Sequence, residues 1–395
     1  MITKIVLFSG GIETLMYFSI QMGKEFEKLG IKTFFYDLRD EKNSFEQLEK
    51  FIEKGTTVCV SFNFNGCSGE EFLSEEGQIN YFEKRGIPFI NIVVDHPFYY
   101  HKFLPYLPAD YVQCSIDKEH EDYIKRFFPE IKVGPFLPLA GTELDSGKMP
   151  GWDDRKTEVV FTANYNPPDN YEHLITRNGP EYEKFYRDIL RDFIDHPSKE
   201  LTSTIEKHIR DNFEEADEEG IKNTMPYMIM IDLYIRHYFR GKAVKTLVDA
   251  GIPVHVYGAG WETLEVNKKD LLYIHDMTDS RECLERIRQS KISLNVMPWF
   301  KRGAHDRVFN SMLNGAVCVT DKSEYLKNEL FDFEDVVYYD LEKMEMLTDR
   351  VKVLLNDRQL WENIQRQGYK KAVEKHTWAQ RADEIYSYII AEMEN

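Results

Sequence analysis

The sequence predicts an α/β protein built from two Rossmann-like, doubly wound domains. Short β-branched runs alternate with amphipathic stretches in both halves of the chain, as expected for right-handed βαβ units. The apolar runs lack polar alternation, so their strands are expected to be covered on both faces, as in a parallel sheet. A segment rich in glycine, proline and charge at 141–156 separates the two series and predicts a linker.

The first predicted domain spans 1–140. We expect strands at 5–8, 32–36, 57–62, 88–94, 111–114 and 131–133, with helices at about 12–29, 43–54, 75–85 and 117–128 between them. Each helix carries apolar residues at helical spacing and joins two runs of strand-forming residues. This order predicts one parallel sheet with helices on both faces.

The second predicted domain spans 157–376 and contains a helical insertion at 169–240. Its polar run at 214–220 is predicted to be a solvated helix end and turn. We expect strands at 158–162, 253–257, 271–274, 292–296, 317–320 and 336–339, and helices at about 279–290, 304–314, 341–356 and 358–374. A C-terminal helix over 377–395 could pack back on the first domain.

Composition and charge narrow the class of protein. The chain has 395 residues, 42% of them hydrophobic, and a net charge of −18, which predicts a soluble globular protein without a nucleic-acid partner. No apolar stretch approaches the roughly 20 residues that span a bilayer. The five scattered cysteines predict neither disulfides nor a zinc site, and with no recognisable leader they indicate a cytoplasmic protein.

A glycine loop follows the first predicted strand. Ser9, Gly10 and Gly11 resemble the phosphate loop of ATP pyrophosphatases, with Glu13 in place of an aspartate. The alternative is a first βα turn in which small residues let strand and helix approach closely. A short glycine motif alone is a weak signal for phosphate binding, so the close-approach turn is the favoured interpretation.

A second candidate site follows the fourth predicted strand. Asp95 and His96 stand where ligands bind in open α/β sheets, and either could remove a proton from an acceptor hydroxyl. Asp95 could equally cap the helix that begins near Pro97, since aspartate before proline is a common helix start. Both roles can hold together.

The richest segment lies between two strands of the second domain. Lys301, Arg302, His305 and Arg307 surround the start of a helix, whose free N–H groups and positive dipole end favour an anion. In an acidic chain this indicates a phosphate pocket, against the alternative of a solvated basic loop. A further strand ends in a glycine turn at 258–260, which could be turn chemistry alone.

Several stretches resemble the glycosyl-transferases-group-one signature, in its divergent branch related to spore-maturation CgeB-like proteins. They lie at 134–140, 256–261, 290–295, 303–309, 312–321 and 375–378. The resemblance implies a GT-B fold, in which two Rossmann-like domains face each other across a cleft. It implies that the nucleotide sugar sits mainly on the second domain and the acceptor on the first.

The chain departs from this group at its Glu-x7-Glu motif, where Arg302 and Asn310 replace the glutamates. Asn310 could still hydrogen-bond a ribose hydroxyl. No Asp-x-Asp occurs in the chain, so we expect no metal and no other cofactor, and basic groups would stabilise the leaving diphosphate instead.

The resemblance therefore implies a glycosyltransferase that moves a sugar from a nucleotide-diphosphate donor, a UDP-sugar being favoured, to a hydroxyl of a protein or glycan. Lys301, Arg302, His305 and Arg307 would hold the diphosphate, while Gly258 and Gly260 would let the backbone close on the donor. Asp95 would be the base of an inverting enzyme, and a retaining enzyme would not need one. The rivals are an adenylating enzyme that uses Ser9–Gly11 and a non-catalytic GT-B-like binding protein.

Overall fold

The computed structural model describes residues 1–74, 80–144, 149–213 and 216–393. The chain divides into two compact units, which we call the first unit (Met1–Ala140 with His376–Asn395) and the second unit (Gly141–Lys375). Four predicted segments fall partly outside the described residues: the helix at 75–85, the linker at 141–156, the polar run at 214–220 and the C-terminal helix at 377–395.

The first unit alternates strands and helices from its start. Its elements are β1 (Lys4–Ser9), α1 (Glu13–Lys28), β2 (Lys32–Asp37), α2 (Glu41–Phe51), β3 (Thr57–Phe62), α3 (Tyr81–Arg85), β4 (Phe89–Val93), β5 (Tyr111–Ser115), α4 (Lys118–Phe127) and β6 (Lys132–Val133).

The second unit begins with one strand, continues through a helical segment and then resumes the alternation. Its elements are β7 (Thr157–Thr162), α5 (Glu172–Thr176), α6 (Pro180–Asp195), α7 (Leu201–Asn212), α8 (Glu218–Thr224), α9 (Ile229–Asp249), β8 (Val254–Tyr257), β9 (Leu272–His275), α10 (Ser280–Arg288), β10 (Ser290–Asn295), α11 (Asp306–Leu313), β11 (Val317–Thr320), α12 (Glu324–Glu329), β12 (Val337–Tyr338), α13 (Glu345–Asn356) and α14 (Arg358–Lys375). The last helix, α15 (Trp378–Met393), belongs to the first unit.

Within the described residues the strands form two six-stranded sheets, in the orders β2-β1-β3-β4-β5-β6 and β12-β11-β10-β7-β8-β9. Neighbouring strands in both sheets run parallel. In each sheet the chain first builds outward on one side of its first strand and then crosses to the other side. The crossings create switch points between β1 and β3 and between β7 and β10, where ligands bind in doubly wound folds. The predicted α/β fold is confirmed.

The burial of the strands explains the apolar runs in the sequence. Every residue of β3, β4 and β5 is buried, as expected for central parallel strands covered on both faces. In the first unit, α1 packs against α15, with the rings of Phe18 and Trp378 at 5.1 Å between centroids. None of the described helices is long and apolar enough to cross a membrane.

Candidate functional site

Asp95 lies at the C-terminal edge of the first sheet, on the loop after β4. Its Oδ2 accepts hydrogen bonds from Asn63 Nδ2 and from the Tyr100 hydroxyl, each at 3.0 Å. Asn63 follows β3, so the bond joins two neighbouring loops at this edge. Among the described residues Oδ1 of Asp95 has no hydrogen-bond partner, and the side chain is only partly buried. The carboxylate is therefore oriented through one oxygen and keeps the other for a ligand.

His96, and not Asp95, caps the short 3-10 helix that follows. Its Nδ1 accepts a hydrogen bond from the backbone N–H of Phe98 at 3.2 Å. The interpretation of Asp95 as the helix cap was wrong, because the helix begins at Pro97, as predicted, and the residue directly before it, His96, is the cap. His96 is buried against the rings of Phe98 and Tyr123, and this burial lowers its pKa well below the ordinary value. These surroundings are those of a structural histidine.

The loop with Ser9, Gly10 and Gly11 joins β1 to α1 at the switch point of the first sheet. Gly10 has a φ of +80°, and a Cβ built there would lie 2.0 Å from Asp37 Oδ1. Asp37 is held by two hydrogen bonds from the Arg39 guanidinium. Close packing against this ion pair explains the glycine. A carboxylate beside the loop also does not favour the phosphate-binding role of the adenylating alternative.

In the second unit, Gly258 and Gly260 bring the turn after β8 against the loop after β7. A Cβ on Gly258 would lie 2.4 Å from the carbonyl oxygen of Ala163, and one on Gly260 would lie 1.9 Å from that of Tyr165. The backbone of Tyr165 donates to Ala259 O at 2.9 Å. These glycines thus permit a close approach of two protein loops at the C-terminal edge of the sheet.

We expect Gly260→Ala to destabilise the second unit more than Gly179→Ala does. Both glycines have φ near +90°, so alanine at either position costs about 1–2 kcal/mol in backbone strain. Nothing lies within 4 Å of a Cβ on Gly179, whereas Gly260 would clash with Tyr165, which adds a further ~1–3 kcal/mol. Urea unfolding of both variants measures the difference. Equal losses would contradict the close approach.

Arg307, in the first turn of α11, spans the switch point between β7 and β10. Its Nε donates to Thr162 O at 3.1 Å, and its Nη1 donates to Asn295 Oδ1 at 2.7 Å. Thr162 ends β7 and Asn295 ends β10. The side chain is only 7% exposed, and burial lowers its pKa. A cation is therefore fixed at the position where this fold binds ligands.

Sequence reasoning missed Arg240, which joins Arg307 from the helix α9. Its Nη1 donates to Asn164 O at 2.9 Å, and Asn164 Oδ1 in turn accepts from the backbone of Ala259. Burial, reinforced by repulsion from Arg236 and Arg307, lowers the pKa of Arg240 well below its ordinary value. The available signal was an arginine inside a helix that is mostly buried.

Among the described residues Arg240 and Arg307 form no ion pair with a carboxylate, although Asp232 acts on Arg240 and Asp306 on Arg307 at longer range. Each is 7% exposed, and within the described residues each donates only to neutral oxygens. Arg240 Nε, also buried, has no hydrogen-bond partner among these residues. Buried charges in proteins are normally paired, because desolvation without a counter-charge is costly. The pair, which we call the arginine pair, is thus suited to bind an anion.

His305 and Asn310 lie on either side of Arg307 in the sequence, His305 directly before α11 and Asn310 within it. His305 Nδ1 lies 3.2 Å from the backbone nitrogen of Arg307 and 2.6 Å from Asp306 Oδ1. Asn310 Oδ1 accepts from the backbone N–H of Thr142 at 2.8 Å, and its Nδ2 donates to Asp306 Oδ2 at 2.8 Å. Asn310, which the sequence predicts to bind the ribose, therefore already bonds to the backbone of the segment with which the second unit begins.

Lys301 and Arg302 are directed away from the arginine pair. Lys301 Nζ donates to Pro197 O, and Arg302 Nε lies 2.9 Å from Glu200 Oε1. Both residues line a cavity of about 390 Å³ beyond β10, β11 and β12, which also contains the carboxylate of Asp321. The basic residues predicted to form one phosphate pocket therefore belong to two sites, the arginine pair and this cavity.

We expect Asp321→Asn to stabilise the protein at pH 8. Asp321 is 2% exposed, and burial raises its pKa from 3.8 to about 6. Because its pKa is higher in the folded than in the unfolded chain, its ionisation opposes folding above pH 6, and this penalty fades as the pH falls toward 4. The gain in the free energy of unfolding should therefore shrink on acidification.

Unfolding at pH 8 and pH 4.5 measures this gain, with Glu324→Gln as the control. Glu324 lines the same cavity, but its side chain is exposed. An equal gain for Asp321→Asn at both pH values would show that its charge is not the cause.

The comparisons with known proteins agree with this fold. Residues 236–387 match a family model described as glycosyl transferase-like. No curated protein matches the sequence. Among the described residues, no three His, Cys, Asp or Glu side chains are grouped so that they could hold a metal ion.

The chain is similar to several solved structures over nearly its whole length. An α-glucosyltransferase in complex with UDP and a 13-mer DNA containing an HMU base is 14% identical, with a TM-score of 0.56, covering 98% of this chain and 100% of that one. An α-glucosyltransferase with UDP-glucose and abasic DNA is 12% identical, with a TM-score of 0.57 and coverages of 98% and 99%. Sucrose-phosphate synthase from Thermosynechococcus elongatus is 10% identical, with a TM-score of 0.57 and the same coverages.

These similarities confirm the predicted GT-B fold. The family match, most of which lies in the second unit, also bears out the predicted class of enzyme, a glycosyltransferase.

Proposed function

We propose that the chain transfers a sugar from a nucleoside-diphosphate donor, a UDP-sugar in preference, to a hydroxyl group of a protein or glycan. The observation that carries this proposal is the arginine pair at the switch point of the second sheet. The CgeB-like branch assignment, based on the sequence motifs, is part of the same proposal. The UDP in two of the similar structures supports the preference for uracil.

The arginine pair and the start of α11 bind the diphosphate in this proposal. When the sugar leaves, the bond between its anomeric carbon and the diphosphate breaks, and the electron pair stays on the phosphate oxygen. Buried guanidinium groups stabilise that growing negative charge strongly, because little water screens them. We propose that they supply the positive charge that the reaction needs, so that no metal is required.

Asp95 serves as the base for the acceptor hydroxyl. Oδ2 is held by Asn63 and Tyr100, and Oδ1 is left to accept the proton as the new bond to the anomeric carbon forms. Gly10 and Gly11 stand at the same edge of the first sheet, where Gly11 approaches Asn65. We assign this edge to the acceptor.

Thermal unfolding with UDP, GDP, ADP and ATP tests the proposed donor class. A ligand that binds only the folded protein raises the midpoint temperature of unfolding. At a ligand concentration of 100 times Kd, the free energy of unfolding rises by about 2.7 kcal/mol. We expect UDP to raise it most and the Arg307→Ala variant to lose this rise. Stabilisation by ATP alone would instead favour the adenylating alternative.

A further inference from the structure

Three side chains at the start of α11 form a continuous hydrogen-bonded chain. Asn310 Nδ2 donates to Asp306 Oδ2 at 2.8 Å, and Asp306 Oδ1 lies 2.6 Å from His305 Nδ1. The backbone N–H of Thr142 donates to Asn310 Oδ1 at 2.8 Å, which fixes the orientation of the amide. Asn310 can therefore present only its NH₂ group to Asp306. We call these three residues the relay.

The relay holds the ring of His305 by its Nδ1 side. Burial alone would raise the pKa of Asp306, but the neighbouring His305 and Arg307 lower it below its ordinary value. The carboxylate therefore stays ionised. Nδ1 also faces the backbone N–H of Arg307 at 3.2 Å, and it cannot accept from that group while donating to Asp306. The shorter, charge-assisted contact with Asp306 favours a proton on Nδ1. A neutral imidazole held in this way has a lone pair on Nε2.

The opposite side of the ring is open to a ligand. Among the described residues Nε2 of His305 has no hydrogen-bond partner, and the side chain is 21% exposed. The charged groups that act on the ring are Asp306 and Arg307 on α11 and Arg240 on α9. Trp299 and Phe300 contribute uncharged rings at 6.1 Å. The nitrogen thus lies within the electrostatic field of the arginine pair.

We propose that the relay makes His305 take up a proton when the donor diphosphate binds, so that Nε2–H then donates a hydrogen bond to the leaving diphosphate. The inference rests on the proposed function, since it needs a diphosphate at the arginine pair. His305 contacts the ligand, while Asp306 and Asn310 are positioning residues. No covalent bond is made to the histidine. The proton comes from solvent and returns to it when the nucleoside diphosphate leaves.

The direction of the proton transfer follows from the charges. In the free protein burial and, to a smaller extent, Arg307 lower the pKa of His305 below 6.5, so the ring is neutral at pH 7.5. A bound diphosphate offsets the charge of Arg240 and Arg307 and favours the imidazolium form. Binding must then be accompanied by proton uptake and must strengthen as the pH falls.

Calorimetric titration of UDP at pH 7.5, in buffers with different ionisation enthalpies, counts the protons taken up. We expect the wild type to take up close to one proton more than His305→Gln, which keeps a side chain of similar size that cannot be charged. Asp306→Asn and Asn310→Ala should lose much of the uptake while still binding UDP. Either of them suffices should the other fail to fold.

Asn314→Ala is the matched control. Asn314 holds the same segment through Leu144 N and Thr142 O, but it makes no bond to Asp306. If the relay residues acted only by holding this segment in place, Asn314→Ala would lose the proton uptake as well. If the hydrogen-bonded chain to His305 is what matters, Asn314→Ala should take up the proton normally.

The outcomes distinguish the inference from the function beneath it. Equal proton uptake by the wild type and His305→Gln, with UDP bound by both, would overturn the relay and leave the donor site intact. Binding of no nucleoside diphosphate by the wild type would overturn both.

Discussion

Arg240→Met is expected to weaken UDP binding by roughly 10–100-fold, because a charge-assisted contact is worth about 1.5–3 kcal/mol. Methionine keeps most of the side-chain volume while removing a buried charge that forms no ion pair within the described residues. Such replacements are often neutral or stabilising in the free protein. The affinity for UDP should therefore fall, while the free energy of unfolding without UDP stays the same or rises. Calorimetry with UDP and urea unfolding without it measure the two effects.

Two further arginines separate the possible causes. Arg191 is exposed on α6 and pairs with Asp188, so Arg191→Ala controls for a general change of charge. Arg302→Ala tests the neighbouring cavity, since Arg302 pairs with Glu200 and is directed away from the arginine pair. We expect a small effect from both. A loss for Arg302→Ala as large as that for Arg240→Met would move the diphosphate site into the cavity.

The second large effect is expected for Asp95→Asn, which should lower turnover by about 10²–10⁴-fold while leaving the melting temperature nearly unchanged. Asparagine can still accept the hydrogen bonds of Asn63 and Tyr100 through its carbonyl oxygen, but it cannot take a proton. Asp95 does not cap the following helix, because His96 does. Loss of turnover therefore cannot be attributed to a lost cap.

Asp110→Asn is the control for this variant. Asp110 is exposed and directly precedes β5, at the opposite edge of the first sheet. The Asp110→Asn substitution removes one negative charge, as Asp95→Asn does, but far from the loop that carries Asp95. Turnover by Asp95→Asn within a few-fold of the wild type would end the assignment of Asp95 as the base.

The architecture was predictable because both sheets are parallel and their central strands are buried. Their strands are short apolar runs, so β3, β4 and β5 stood out from the amphipathic stretches around them. Local features were less predictable. The helix expected from Pro97 is a single 3-10 turn capped by His96, and nothing in the local sequence separates this cap from one made by Asp95.

The candidate site was predictable only in part, because some of its residues are far apart in the sequence. Arg307 and His305 stood out because they adjoin a helix start that follows a strand. Arg240 lies on α9, 67 residues away from Arg307 in sequence (307 − 240), and only the fold brings the two together. Lys301 and Arg302 have the right charge and spacing, yet the backbone after β10 turns them toward Pro197 and Glu200.

Turnover of a panel of nucleotide sugars, with ATP measured in parallel, shows whether the protein is a glycosyltransferase that uses a UDP-sugar. We expect the protein to release UDP from at least one UDP-sugar and Arg307→Ala to abolish this release. Pyrophosphate released from ATP, or no nucleotide consumed from any donor in the panel, would contradict this expectation.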